Sequence, residues 1–166
     1  RYARNHERYR AIDKFGQPDQ PSPVQTRAMV FLALANGSDG LVWYWLPRSA
    51  YHIANDSPVT WQGIVDTVAL LKKLEPWLLA DRSSQDQALS LPEPFRVWSR
   101  QVSGQRIVAI VNASDESAEA TLTMPGQTAV TDFETQEKVS TSQGKLSVTL
   151  APWQVRIFMM PGQNTP

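Results

Sequence analysis

The segment from Trp43 to Asp56 holds the side chains of this chain that are best suited to recognise a ligand. Trp43, Tyr44 and Trp45 follow one another, and a loop after them carries further polar and aromatic residues: Tyr51, His52, Asn55 and Asp56. Aromatic rings offer flat apolar surfaces, and the loop side chains can hydrogen-bond hydroxyl groups. The alternative is that the rings pack in a core, that the loop is solvated, and that Asp56 interacts with the next helix start.

Other kinds of chemistry have few candidates. The chain has no cysteine, and its two histidines, His6 and His52, form no helical pair, so we expect no thiolate nucleophile and no metal site. A Gly-rich phosphate loop is absent from the sequence, so we expect no cofactor. Sixteen basic and sixteen acidic residues cancel, and no apolar run reaches the ~18 residues of a membrane span. We therefore expect neither nucleic acid nor a membrane as a partner.

The elements that would position these residues change character along the chain. Residues 22 to 79 have a helix–strand–helix pattern, and only strands follow from about residue 93. Ser22 and Pro23 predict the start of a helix that runs to Ala35 and is apolar around most of its circumference. Residues 40–46 predict a strand that is apolar on both faces, as in a parallel sheet covered on both sides. Its neighbours must come from residues 1–21, from another chain or from a longer parent protein, and we favour the last.

A second helix is predicted after Ser57 and Pro58. Apolar residues recur in it at spacings of three and four: Trp61, Ile64, Val65, Val68, Leu71, Leu74 and Leu78. This pattern is typical of an amphipathic helix that lies on a sheet, with Pro76 bending or ending it.

Short strands separated by turn residues make up the rest of the chain. The predicted strands are 95–101, 106–112, 118–124, 129–133, 138–141, 145–150 and 154–160. Strands at this spacing predict an antiparallel β-sandwich. The fold class is therefore α/β followed by all-β, with an α/β segment at 1–80, a linker at 81–92 and a β-sandwich at 93–161.

Residues 25–160 together resemble the C-terminal end of a TIM-barrel glycoside hydrolase with its appended β-sandwich. Residues 27–37 are similar to the seventh helix of the (β/α)8 barrel, 39–45 to its eighth strand and 60–78 to its eighth helix. Residues 108–112 and 150–155 are similar to strands of the sandwich. The specific family is not identified.

The resemblance implies a carbohydrate-active hydrolase that acts on glycosidic bonds. Its substrate, an oligo- or polysaccharide, would contact five residues near the end of the eighth strand: Trp45, Trp43, Tyr51, His52 and Asp56. Glu7 is a candidate nucleophile or acid if it follows a seventh strand. Such enzymes need a carboxylate pair, which usually lies on earlier strands. We therefore expect the catalytic carboxylates to lie outside this chain and the chain alone to be inactive. The rest of the barrel would come from the parent chain or a second polypeptide. The location stays open, and the resemblance slightly favours a secreted or periplasmic one.

Two alternatives remain open. One is a non-catalytic carbohydrate-binding or interaction module, which needs several aromatic residues exposed on one flat face of the sandwich. The strand region holds five candidates: Phe95, Trp98, Phe133, Trp153 and Phe158. The other alternative is a structural domain whose apolar first helix docks on a partner.

Overall fold

The computed structural model describes residues 21–43, 53–81, 89–124 and 126–162. These residues form four helices: α1 (Pro23–Ala35), α2 (Ile53–Asp56), α3 (Pro58–Lys73) and α4 (Glu75–Leu78). They also form seven strands: β1 (Phe95–Val102), β2 (Gln105–Asn112), β3 (Ala118–Thr123), β4 (Ala129–Asp132), β5 (Lys138–Ser140), β6 (Lys145–Leu150) and β7 (Val155–Pro161). The described residues include no helix long and apolar enough to cross a membrane.

Helix α1 begins and ends where the sequence predicts. The Ser22 hydroxyl accepts a hydrogen bond from the backbone N–H of Gln25 (3.2 Å), and the Gln25 side chain accepts one from the backbone N–H of Ser22 (2.9 Å). This reciprocal capping box satisfies two backbone donors at the helix start. At the other end the Asn36 side chain donates to the Leu32 carbonyl (2.8 Å), and Gly37 takes a φ of 91°. Glycine adopts that left-handed conformation without steric cost, so the helix stops there.

The predicted strand at 40–46 is wrong in the part that the structure describes. Residues 40–43 belong to no strand, and the side chain of Val42 is 89% exposed. Residues 44–46 lie outside the described residues. A strand is stabilised by hydrogen bonds to a neighbouring strand, and the described chain supplies none at this segment. Val42 and Trp43 are therefore exposed, and only Leu41 is half-buried against the core on the helix side.

Helix α3 has the predicted position but buries a different face. Its buried residues are Thr60, Gly63, Thr67 and Leu70. Small residues on this face allow close contact with α1: a Cβ atom at position 63 would lie only 2.7 Å from the Cα atom of Pro23. The predicted apolar face is only partly covered, since Trp61 and Val65 are 42% and 40% exposed.

The strands form two antiparallel sheets. One has five strands in the order β1-β2-β7-β4-β5, and the other pairs β3 with β6. Residue Phe95 of β1 pairs with Asn112 of β2, and Ala109 of β2 pairs with Ile157 of β7. All seven predicted strands are present, and their bounds differ from the predicted ones by only a few residues.

Both faces of the five-stranded sheet are covered. Residues Ile107, Ala109 and Val111 of β2 share a core cluster with helices α1 and α3, and Val108 and Ile110 share another with the β3-β6 sheet. All five are fully buried, which explains why this strand is a continuous apolar run. In β3 and β6, by contrast, buried and exposed residues alternate. The described chain therefore has three layers: helices, a five-stranded sheet and a two-stranded sheet.

Candidate functional site

Two of the predicted ligand-binding residues lie within the described part of the chain. Trp43 follows α1 and is 42% exposed, and Asp56 is the exposed last residue of α2. The other candidates lie outside the described residues: Glu7, Trp45, Tyr51 and His52. The structure therefore neither assembles nor separates this group, and the group stays a prediction.

The aromatic residues of the strands form no flat exposed face in the described chain. Phe95, Trp98 and Phe158 are 4%, 2% and 0% exposed, and Phe133 and Trp153 are half-buried. The Trp98 ring instead contacts Phe31 of α1 edge-on, with ring centroids 6.2 Å apart. A binding module would need several of these rings in solvent, so their burial disfavours a sugar-binding platform on the strands.

Exposed apolar residues concentrate in the helical half instead. The large apolar side chains that are most exposed in the described chain all lie between residues 24 and 79: Val24, Met29, Val42, Trp43, Val59, Trp61, Val65 and Leu79. On α3 they continue into the half-buried Ile64 and Val68. We call the four residues Trp61, Ile64, Val65 and Val68 the α3 stripe. Apolar surface of this kind marks a contact site for another part of a protein.

A groove lies between α3 and the turn that joins β4 to β5. Its volume is about 560 Å³, and residues from two distant parts of the sequence line it: Asp66, Ala69, Leu70, Lys73, Phe133, Glu134 and Gln136. Sequence reasoning missed this groove, because Asp66 has the pattern of a solvated helix residue and 133–136 that of an ordinary turn. Only the packing of α3 near the sheet brings the two segments together.

The turn is held in one conformation by Asp132. This carboxylate accepts hydrogen bonds from the backbone N–H groups of Glu134 and Thr135, both at 3.1 Å, and from Arg156 Nη2 at 2.6 Å. Burial raises the pKa of Asp132, but the hydrogen bonds from Arg156 and the two backbone groups outweigh it, so the pKa lies below its usual value. Asp132 is therefore an anionic anchor and does not have the raised pKa of a general acid.

Further contacts attach the turn to the helices. Arg27 of α1 makes a bidentate ion pair with Glu134, with Nη1 3.0 Å from Oε1. The Phe133 ring meets the Trp77 ring edge-on, with centroids 6.0 Å apart. The Gln136 side chain donates to the Phe133 carbonyl at 2.6 Å. These contacts tie the turn side of the groove to α1 and α4.

Comparison with known proteins finds similarity in structure but not in sequence. No protein-family model matches the chain, and no curated protein matches its sequence. The structure is similar to that of an alpha-amylase from Geobacillus thermoleovorans, complexed with acarbose, at a TM-score of 0.54 and 13% identity over 86% of this chain and 34% of that one. It is also similar to AmyP in complex with maltose, at a TM-score of 0.51 and 13% identity over 67% of this chain and 22% of that one.

These identities are too low to show more than the fold. The helices and antiparallel sheets of the chain have the fold of a part of a glycoside hydrolase, and the family is not identified. The chain spans about a third or less of the length of the two similar structures.

Proposed function

We propose that this chain is the C-terminal part of a carbohydrate-active hydrolase that acts on glycosidic bonds. In this proposal α1 and α3 are the last two long helices of a (β/α)8 barrel, and the two packed sheets form its appended β-sandwich. The segment 40–56 provides substrate contacts through Trp43, Trp45, Tyr51, His52 and Asp56. The catalytic carboxylate pair lies outside this chain, so the chain alone is inactive.

The α3 stripe is the observation that carries this proposal. A helix of a (β/α)8 barrel buries an apolar face on the barrel strands. The α3 stripe has the spacing of such a face, but Trp61 and Val65 are left 42% and 40% exposed in this chain. The face of α3 that is buried in this chain is a different one: it packs against α1 through Gly63, and its Leu70 joins the core cluster on the helix side of the sheet. The exposed face therefore fits a second sheet. The chain matches only a part of the two longer similar structures, which supports the proposal that this second sheet is the barrel sheet of a longer protein.

The test compares stability in two contexts. In the chain alone, Trp61→Gln and Val65→Gln should each lower the free energy of unfolding by about 1 kcal/mol, because both side chains are already 42% and 40% exposed. In the whole polypeptide each should cost about 2 kcal/mol or more, since a covered apolar side chain is lost. Leu74→Ala is the matched control: Leu74 is fully buried, so its loss should cost about 2–5 kcal/mol in both contexts.

Activity gives the second measurement. The purified chain should hydrolyse no oligosaccharide, and the whole polypeptide should. Hydrolysis by the chain alone would contradict the proposal. So would stripe variants that destabilise the isolated chain as strongly as Leu74→Ala, because the stripe would then already be covered.

A further inference from the structure

We infer that the groove between α3 and the β4–β5 turn binds a short neutral oligosaccharide, at a site separate from the segment 40–56. The choice of a carbohydrate rests partly on the proposed function, whereas the existence and charge of the groove do not. At about 560 Å³ the groove has the size of a small-molecule site, for which roughly 300–1,000 Å³ is typical.

The charges at the groove favour a neutral ligand. Asp66 and Glu134 contribute two carboxylates, and Lys73 contributes one ammonium group. The guanidinium of Arg27, which does not itself line the groove, forms an ion pair with Glu134. Two negative and two positive groups therefore balance, and the groove selects neither an anion nor a cation.

The polar groups at the groove can serve the hydroxyls of a sugar. One oxygen of Asp66 accepts a hydrogen bond from Gln62 at 2.7 Å, so the carboxylate is positioned and its second oxygen can accept another. The Gln136 amide nitrogen donates to the Phe133 carbonyl, and the Gln136 side-chain oxygen remains as an acceptor. Lys73 makes no hydrogen bond or ion pair with the described residues, so its ammonium group is available as a donor. Sugar hydroxyls can pair with both kinds of group.

Apolar side chains also line the groove. Leu70 is 7% exposed and forms part of the lining, and the half-buried Phe133 ring lies beside it. The C–H face of a pyranose packs well on such a surface. A neutral ligand with both an apolar face and many hydroxyls therefore matches the groove better than a purely apolar ligand.

The missing barrel would leave this site open. The groove residues of α3 form one row along the helix, at spacings of four and three: Asp66, Leu70 and Lys73. The α3 stripe forms another row, with Trp61, Ile64 and Val68 at spacings of three and four. The two rows lie on different sides of α3. A sheet packed on the α3 stripe would therefore not fill the groove.

A titration of the 166-residue chain with maltotriose and with cellotriose, followed by amide chemical shifts, tests this inference. We expect shifts at residues 66–73 and 133–136 with at least one of the two sugars. Lys73→Ala should weaken that binding at least about tenfold, the loss expected for one charge-assisted hydrogen bond. Lys72→Ala is the matched control: Lys72 is an exposed neighbour on the same helix that does not line the groove, so affinity should not change.

A second variant protects the test against misfolding. Gln136 has a φ of 61°, which glycine adopts more easily, so Gln136→Gly should keep the backbone of the turn while it removes both the acceptor and the side-chain hydrogen bond to the Phe133 carbonyl. It should also weaken binding.

Shifts confined to residues near Trp43 and Asp56, with no effect of Lys73→Ala, would overturn the groove inference and support the proposed function. No shifts with either sugar would overturn the groove inference alone, because the stripe variants test the proposed function separately.

Discussion

Single polar side chains fix the loops of this molecule at the residue scale. Asn112 is fully buried at the end of β2, and its amide nitrogen donates to the carbonyls of Glu116 (2.7 Å) and Ala151 (3.1 Å). Its oxygen accepts from the Ser114 hydroxyl at 2.8 Å. A buried amide is tolerated only when its hydrogen bonds are made. Asn112 thus joins the turn after β2 to the turn between β6 and β7.

Asp132 should make the stability of the chain depend on acidic pH. Its pKa in the folded state lies below the ordinary value of 3.8, so the folded protein binds fewer protons there than the unfolded one. The stabilisation is complete above the unfolded pKa and is lost as the pH falls through the folded pKa. We expect the free energy of unfolding to decrease below about pH 4, and Asp132→Asn to remove about 2 kcal/mol at pH 7 and to flatten the acid dependence.

Urea unfolding at pH 7, 4 and 3 measures this effect. Glu93→Gln is the control, because Glu93 also has a lowered pKa through its hydrogen bond with Arg96, but its side chain is 74% exposed. An exposed pair contributes little, so this variant should keep most of the acid dependence. Equal flattening in both variants would show that the Asp132 network is not its main source.

At the scale of elements, the features that depend on neighbouring residues were predicted better than the features that depend on long-range packing. Ser22, Pro23 and Gly37 determine where α1 begins and ends, since capping and left-handed backbone depend on adjacent residues only. The same holds for the strands, whose turns carry their own chemistry. The strand at 40–43 was predicted wrongly and the buried face of α3 only partly correctly, because each depends on which element lies opposite. Periodicity finds an apolar face but does not identify its partner.

The close contact between α1 and α3 depends on Gly63, which has no side chain. Alanine normally stabilises a helix by about 1 kcal/mol relative to glycine. At position 63, however, the new Cβ atom would lie 2.7 Å from Pro23 Cα and 3.0 Å from Pro23 Cβ. We therefore expect Gly63→Ala to lower the free energy of unfolding by about 1–3 kcal/mol, as overpacking does.

Gly40→Ala is the control for that variant, measured by the same thermal or urea unfolding. No atom lies within 4 Å of a Cβ built at position 40, so the substitution should be neutral. If Gly63→Ala instead stabilised the chain, α1 and α3 would have to be free to move apart, and their contact would not be a rigid one.

At the scale of the whole molecule, the five-stranded sheet contributes side chains to two hydrophobic cores, one on each of its faces. Trp98, Ile107 and Ile157 face the helices, and Val108 and Phe158 face the β3-β6 sheet. The proposed boundary at 81–92 separates the chain into a helical part and a strand part, yet the first of these cores contains residues from both parts. Burial of the five-stranded sheet therefore depends on the helices as well as on its own strands.

A shortened polypeptide of residues 89–162 should consequently not fold as stably as the whole chain. Without the helices, the buried Trp98, Ile107, Val111 and Ile157 would meet water. At about 1.5–3 kcal/mol for each large apolar side chain, this exposure costs about 5 kcal/mol or more, comparable to the total stability of many domains. We expect self-association and loss of cooperative unfolding, measured by sedimentation and near-ultraviolet circular dichroism. Residues 21–162, which keep the helices, should unfold like the whole chain. Cooperative unfolding of 89–162 at undiminished stability would instead mean that the sheets form an independent domain and that the helices only rest on it.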